Sequence, residues 1–318
     1  MRLLVALALA ACALQAGAQY PSRPVRVMVG FAPGGPNDII ARAYSAQLTE
    51  GLGQPFVVEN RAGAAGNLAA EAVARAVPDG HTLMLGSTGT NAVNPSLYAG
   101  LPFDPGRDLA PVSVVATSPS ALAVHPKVAA QSVRELIALA KAQPGKLTYA
   151  SAGSGSSQHL SAELFKQAAG VDIVHVPYKG AAPGITDLLA GQVDMSFAPV
   201  ANVVPHAKSG KLRLLAVTGA SRSEFAPGVP TVAESGVPGF DVTTWYAVFA
   251  TGGTPAAIVE RLNAELGKIS RNPKLREQLA GLGIDASASA SPAEARAYRD
   301  AEVERWGKLV RALGVKAE

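Results

Sequence analysis

The chain has 318 residues, 28 Lys and Arg against 24 Asp and Glu, and one cysteine. That length buries enough surface for two domains. The basic residues form no run, which excludes a nucleic-acid or membrane patch, and one cysteine excludes an internal disulfide framework and a thiolate metal cluster.

Met1-Arg2 and the apolar Leu3 to Leu14 read as an export signal, with Ala16-Gly17-Ala18 as the cleavage site and Gln19 as the mature start. The apolar run falls short of the roughly 20 residues a membrane span needs. Leu9-Ala10-Ala11-Cys12 also has the form of a lipoprotein processing site, which would instead leave Cys12 lipidated. Val25, Val27 and Val29 then predict a strand. Ala32-Pro33-Gly34-Gly35-Pro36 cannot continue it. Asn37 or Asp38 is a helix N-cap, and Ile39, Ile40, Ala43, Tyr44, Leu48 and Leu52 repeat with helical spacing. A strand, a glycine turn and a helix N-terminus expose backbone N–H groups where an anion fits. The same unit also serves as a tight connection with no ligand.

Strands are predicted at 55–59 and 82–85, with a helix at 68–76 between them. The turns Asn60 to Asn67 and Gly86 to Asn91 follow the two strands, and the second leads into a short helix that Pro95 interrupts. Three βα units in succession mean a parallel sheet, whose ligands sit beyond the strand carboxyl ends. Residues 112–116 and 121–124 read as strands that carry the chain to a second domain. There a helix at 133–142, begun by Ser132, precedes a strand at 147–150 and the turn Ser151 to His159. Leu160, Leu164, Phe165 and Ala168 mark the buried face of the next helix. Strands at 173–176, 195–198 and 212–217 and helices at 185–190 and 203–206 repeat the α/β plan. A strand at 243–250 crosses back, and helices from Pro255, Pro273 and Pro292 close the chain on the first domain. The fold class is therefore α/β, with two lobes joined by two crossing strands and a cleft between them. Residues 1–18 are the signal, 19–120 the first part of lobe 1, 121–240 lobe 2, and 241–318 the return strand and C-terminal helices of lobe 1.

Enzyme signatures do not assemble. Gly153-Ser154-Gly155-Ser156-Ser157 is not G-x-S-x-G. The five histidines show no metal spacing, Gly34-Gly35 lacks a P-loop lysine, and Gly153-x-Gly155 lacks the third glycine of a dinucleotide fingerprint. His159 either caps its helix or touches a ligand, and Lys179 is either a solvated charge or an anion contact. Asp38 caps the helix or fixes the loop by accepting N–H bonds, or else it pairs with a ligand ammonium.

Several blocks resemble one family. They are Tyr20-Pro21-Ser22-Arg23-Pro24-Val25-Arg26, Phe31 to Asp38, Val58-Glu59-Asn60-Arg61-Ala62-Gly63-Ala64-Ala65-Gly66 and Pro78-Asp79-Gly80-His81-Thr82-Leu83 in the first half. Tyr149 to Leu160, Val176-Pro177-Tyr178-Lys179-Gly180 and Gly191-Gln192-Val193-Asp194 follow in the second. Their order and spacing resemble the substrate-binding proteins of tripartite tricarboxylate transporters, the Bug receptors. The resemblance implies a type II periplasmic binding protein, not an enzyme, that closes on a small carboxylated solute and delivers it to a membrane permease of two subunits. It implies a monomer with no cofactor, no metal and no nucleic-acid partner. Its motifs point to Gly34, Gly35, Asp38, Ser87, Thr88, Ser154, Gly155, Ser156, His159 and Gly180 as ligand-binding residues, partly through bridging waters. Neutral donors hold a carboxylate without a costly buried counter-charge. Asn91, Pro199-Val200-Ala201-Asn202 and Trp245-Tyr246 are expected to shape the far half of the pocket. Ala32-Pro33-Gly34-Gly35 replaces the family's frequent Pro-Pro-Gly-Gly, a change that bears on the first loop's shape. The same receptor delivering its liganded surface to a signalling partner, and a periplasmic enzyme on this fold, are the alternative functions.

Overall fold

The computed structural model describes residues 20–98 and 100–314. The export signal, its cleavage site and Cys12 lie outside the described residues.

Strand β1 (Val25–Val29) pairs in parallel with β2 (Phe56–Asn60) on one side and β3 (Thr82–Ser87) on the other. Helices α1 (Pro36–Leu52) and α2 (Asn67–Ala74) connect them. Helix α1 begins at Pro36, ahead of the cap expected at Asn37 or Asp38, and Gly35 is its N-cap. Proline suits the first helical turn, because its φ is already helical and its missing N–H has no partner there. Pro95 behaves alike. It does not interrupt the helix after β3 as its sequence position predicts: a π-helical turn over Gly89–Val93 leads into α3 (Asn94–Leu97), with Pro95 in its first turn.

The two strand-like stretches of the middle chain are one strand, β4 (Leu109–Val124). From Leu109 to Pro119 it pairs antiparallel with β9 (Thr243–Thr251). From Ser120 onward it pairs with β7 (Met195–Pro199) and β8 (Arg213–Val217). Two prolines hid this continuity. Pro111 sits where the register shifts, and Pro119 sits where β4 exchanges β9 for β7. Beyond β7 lie β5 (Thr148–Ser151) and β6 (Val174–Pro177), both parallel to their neighbours. Helices α4 (Val133–Ala142), α5 (Ser157–Ala169), α6 (Ala181–Leu189) and α7 (Val200–Lys208) belong to this half. In α5, Leu160 and Phe165 are buried and Leu164 half-buried, but Ala168 is exposed; Ser161 and Ala162 complete the buried face. The last segment holds α8 (Ala256–Ile269), α9 (Pro273–Ala280), the two-residue β10 (Asp285–Ala286), unforeseen in the sequence, and α10 (Pro292–Leu313). Strand β10 pairs with β4 at Ala116 and Thr117.

Three apolar clusters organise the two lobes. One packs Val25, Val27, Val29, Ile40, Tyr44 and Leu48 under α8 and belongs to lobe 1 alone. Another, around Ala150, Ile185, Leu188 and Val217, belongs to lobe 2 alone. The third runs through both lobes, from Met28 and Met84 to Phe165 and Phe197, by way of Trp245, Ala247 and Trp306. Helix α10 seals this junction: Glu302 Oε2 accepts both the Trp245 and the Trp306 indole N–H at 3.0 Å. Among the described residues no helix is long and apolar enough to cross a membrane.

Candidate ligand cleft

The turns after β1, β3, β5 and β7 all lie at strand carboxyl ends, so both lobes present them to one cleft. A cavity of about 30 Å³ lies where they meet, with room for about two waters. Lobe 1 lines it with Phe31, Gly35, Pro36, Asn37, Ser87, Thr244 and Tyr246. Lobe 2 contributes Ala152, Ser156, Ser157, Gln158, Ala181 and Pro199.

The lobe 1 wall is set by a charged network. Gly34 has φ +85°, a conformation that favours glycine. The buried Asp38 carboxylate accepts the Gly34 N–H at 3.1 Å, the Asn60 amide at 2.9 Å and the Arg42 guanidinium at 3.0 Å. Burial pushes the Asp38 carboxyl up, but the bonds from Arg42, Gly34 and Asn60 together outweigh it and hold the group below its ordinary value. Asp38 thus fixes the loop from behind. Gly35 is different. Its φ is −84°, and an added Cβ would meet only the Ala32 carbonyl, at 3.8 Å. A side chain at 35 would therefore meet little of the protein and would project where the cavity lies. The Asn37 Nδ2 is buried without a partner. Ser87 and Tyr246 are paired across β3 and β9, and neither hydroxyl has a hydrogen bond among the described residues.

The lobe 2 wall is set by a neutral one. Ser156 is the N-cap of α5 and its Oγ accepts the His159 N–H at 3.3 Å. The His159 Nδ1 accepts the Gly155 N–H at 3.0 Å. A backbone N–H can only donate, so the ring proton sits on Nε2. The ring stacks on His175 at 4.2 Å, and His175 stacks on Tyr149 at 4.9 Å. Burial drives the His159 pKa down to about 4; Glu163 opposes this and Lys166 adds to it. The imidazole is neutral at pH 7.

Of the ten residues the motifs pointed to, Gly35, Ser87 and Ser156 line the cavity. Gly34, Asp38 and His159 stand behind it and shape the loops. Thr88 accepts the Trp245 N–H at 2.9 Å and ties β3 to β9. The others join the lobes. The Ser154 carbonyl accepts the Tyr98 hydroxyl at 2.9 Å, Gly155 packs on Asn94 and Leu97, and Gly180 abuts Ala32. Ala32 N–H also bonds the Lys179 carbonyl at 3.3 Å, and Thr244 Oγ1 donates to Ser157 Oγ at 3.1 Å. Trp245 and Tyr246 cannot both face the cavity, because successive strand residues point to opposite sides. Only Tyr246 does; Trp245 turns to Glu302. Asn91 also points elsewhere, its Oδ1 accepting the Ser87 N–H.

Most of the lining beyond those ten residues has one character, and of it Pro199 and Tyr246 are expected from the sequence. Pro36 and Asn37 open α1, Ser157 and Gln158 open α5, Ala181 opens α6, and Pro199 is the N-cap of α7. Four helix N-termini therefore face one small space, each with partial positive charge and free N–H groups. No lysine, arginine, aspartate or glutamate lines it. The arrangement suits an anion held by neutral donors. Among the described residues no group of three or more His, Cys, Asp or Glu could hold a metal ion.

Two lobes closing over such a cavity define a solute-binding protein of the periplasmic type. Comparison with known proteins narrows the class. The profile described as tripartite tricarboxylate transporter family receptor matches residues 40–315, and the chain belongs to that family. The solved structure of Rhodopseudomonas palustris Rpa4515 with adipate is similar at TM-score 0.90 and 37% identity, covering 94% of this chain and 100% of that one. The periplasmic binding protein BugD is similar at TM-score 0.89 and 34% identity, over 94% and 100%. MatC from Rhodopseudomonas palustris, with bound malate, is similar at TM-score 0.86 and 35% identity, over 92% and 100%.

Proposed function

We propose that this chain is an exported receptor that captures a small organic carboxylate between its lobes and hands it, unchanged, to a membrane permease of two subunits. The convergence of four helix N-termini on a cavity free of charged side chains carries this reading. The unpartnered Asn37 amide and the free Ser87 and Tyr246 hydroxyls supply further donors. The adipate and malate held by the two similar receptors are ligands of this kind. Residues 1–18 act as the signal, residues 19–120 and 241–318 form lobe 1, and residues 121–240 form lobe 2. The mature protein works as a monomer in the periplasm. A carboxylate touches donors of both lobes only when they are closed, so its differential affinity draws the population to the closed form.

A thermal-shift screen of the mature protein against small carboxylates tests the reading. At 100-fold excess over Kd a true ligand adds about 2.7 kcal/mol of apparent stability. Gly35→Ala is the matched control. It should leave the melting temperature of the free protein nearly unchanged and abolish most of the shift. No shift with any acid, or turnover of the acid, overturns the proposal.

A further inference from the structure

The two tryptophans of the chain, Trp245 and Trp306, are both buried, and both donate to one oxygen, Oε2 of Glu302. Trp306 lies in α10 with Glu302, so its bond stays within the helix. Trp245 lies in β9, and its neighbours on either side, Thr244 and Tyr246, line the cavity. The end of β9 at the cavity is thinly held by its own ladder. Its pairing with β3 stops at Tyr246, opposite Ser87. Thr244 and Trp245 run past the end of β3, and among the described residues only β4 pairs with them. On the other side the Thr88 hydroxyl accepts the Trp245 N–H at 2.9 Å, and the indole reaches Glu302. Glu302 is itself fixed. Its second oxygen accepts Arg305 at 3.1 Å, and Arg305 also donates to the Asp241 carbonyl at 2.8 Å. Two residues one turn apart on α10 thus grip the returning chain at 241 and at 245, on either side of Thr244.

We propose that Glu302 is a positioning residue for the ligand: by holding the Trp245 indole it fixes the end of β9, and with it the Thr244 and Tyr246 hydroxyls, where the captured acid meets them. The inference rests on the reading of the cavity as the carboxylate site. Glu302 acts from a distance, since no described residue of α10 lines the cavity. A buried indole N–H that lost its acceptor would be left with the full cost of its desolvation. The Trp245 side chain would then turn toward another acceptor, and the backbone it shares with Thr244 and Tyr246 would turn with it.

Calorimetric titration with adipate, malate and any further acid that shifts the wild type in the thermal screen tests this, well below the melting temperature of each variant. Glu302→Leu removes the acceptor at similar size and should weaken binding about tenfold, as for one hydrogen bond to a charged group. Glu302→Gln keeps an oxygen that can accept both indoles and should stay within about threefold of wild type. Trp245→Phe should weaken binding as Glu302→Leu does, and it carries the test if Glu302→Leu does not fold. Trp306→Phe is the control for packing: it removes a bond to the same oxygen from the same core, but not one that reaches β9. It should lower the melting temperature and leave the affinity within about twofold. Unchanged affinity in Glu302→Leu or Trp245→Phe, or an equal loss in Trp306→Phe, makes the role one of packing alone and overturns the proposal, with the receptor reading intact. If the wild type binds no acid at all, both readings fall.

Discussion

The two walls of the cleft do the same work with opposite chemistry. In lobe 1 the loop before α1 is fixed by an ionised carboxylate, Asp38, which binds Gly34, Asn60 and Arg42. In lobe 2 the loop before α5 is fixed by a buried neutral imidazole, His159, stacked on His175. Neither device puts a charge into the ligand space: His159 is neutral, and neither it nor Asp38 lines the cavity. A loop can therefore be tied down by a charge or by a neutral acceptor, provided that the acceptor sits behind the N–H groups left for the ligand. What differs is how the two walls respond to acid.

The largest effect that separates the walls should be the pH response of lobe 2. Unfolded, His159 takes up a proton near pH 6.5. Folded, it stays neutral down to about 4, because burial disfavours the charged ring. The folded state thus binds fewer protons between these values. Its stability is whole above about pH 6.5 and declines as the pH falls toward 4, by about 3 kcal/mol in all. Urea unfolding at stepped pH should show the decline, and His159→Gln should flatten it.

Asp38→Ala tests the other wall. It leaves the Gly34 N–H and the Asn60 amide without their acceptor and should cost about 2 kcal/mol at pH 7. The wild-type contribution of Asp38 has the opposite profile to that of His159. Its folded pKa is lowered, so the contribution is present above the ordinary carboxylate range and is lost only as the pH falls through that lowered value. If the stability of Asp38→Ala and wild type converged already at pH 6, the contrast between the walls would be wrong.

A smaller difference lies in the caps. Ser156 caps α5 through its hydroxyl, whereas Gly35 caps α1 with no side-chain bond. Ser156→Ala should cost about 1 kcal/mol of stability, and Gly35→Ala less than about 0.5 kcal/mol. Both should weaken carboxylate binding, so the ratio of stability loss to affinity loss distinguishes them in one set of thermal melts.

Much of this architecture is legible in the sequence where the signal is local. Ser132 caps α4 by accepting the Glu135 N–H, as its position before an apolar helical pattern predicts. The glycine turns stand where the strands end. The signals that fail are those decided by distant partners. Pro119 looks like a strand terminator until β7 and β9 are seen to share β4 on either side of it. For Asp38 the sequence offers both a cap and a loop brace, because the two use the same residue type, and the Gly34 and Asn60 contacts decide for the brace. The site shows the same division. Its loops and Tyr246 are readable, but Thr244 reaches the cavity only because β9 runs back beside β3 and β4. The motifs favoured glycines and serines, whereas the cavity is lined by the opening residues of helices, whatever their type.

Strand β4 belongs to both lobes, and one apolar cluster continues from lobe to lobe beneath it. The boundary between the halves is therefore a strand, not a linker. A protease nick or a gene fragment that ended near Pro119 would leave each piece with half a strand, an open ladder edge and one side of a torn apolar core. Such edges seek partners. The two pieces should recombine with each other or clump, and neither lobe should survive as a stand-alone module for grafting onto another receptor.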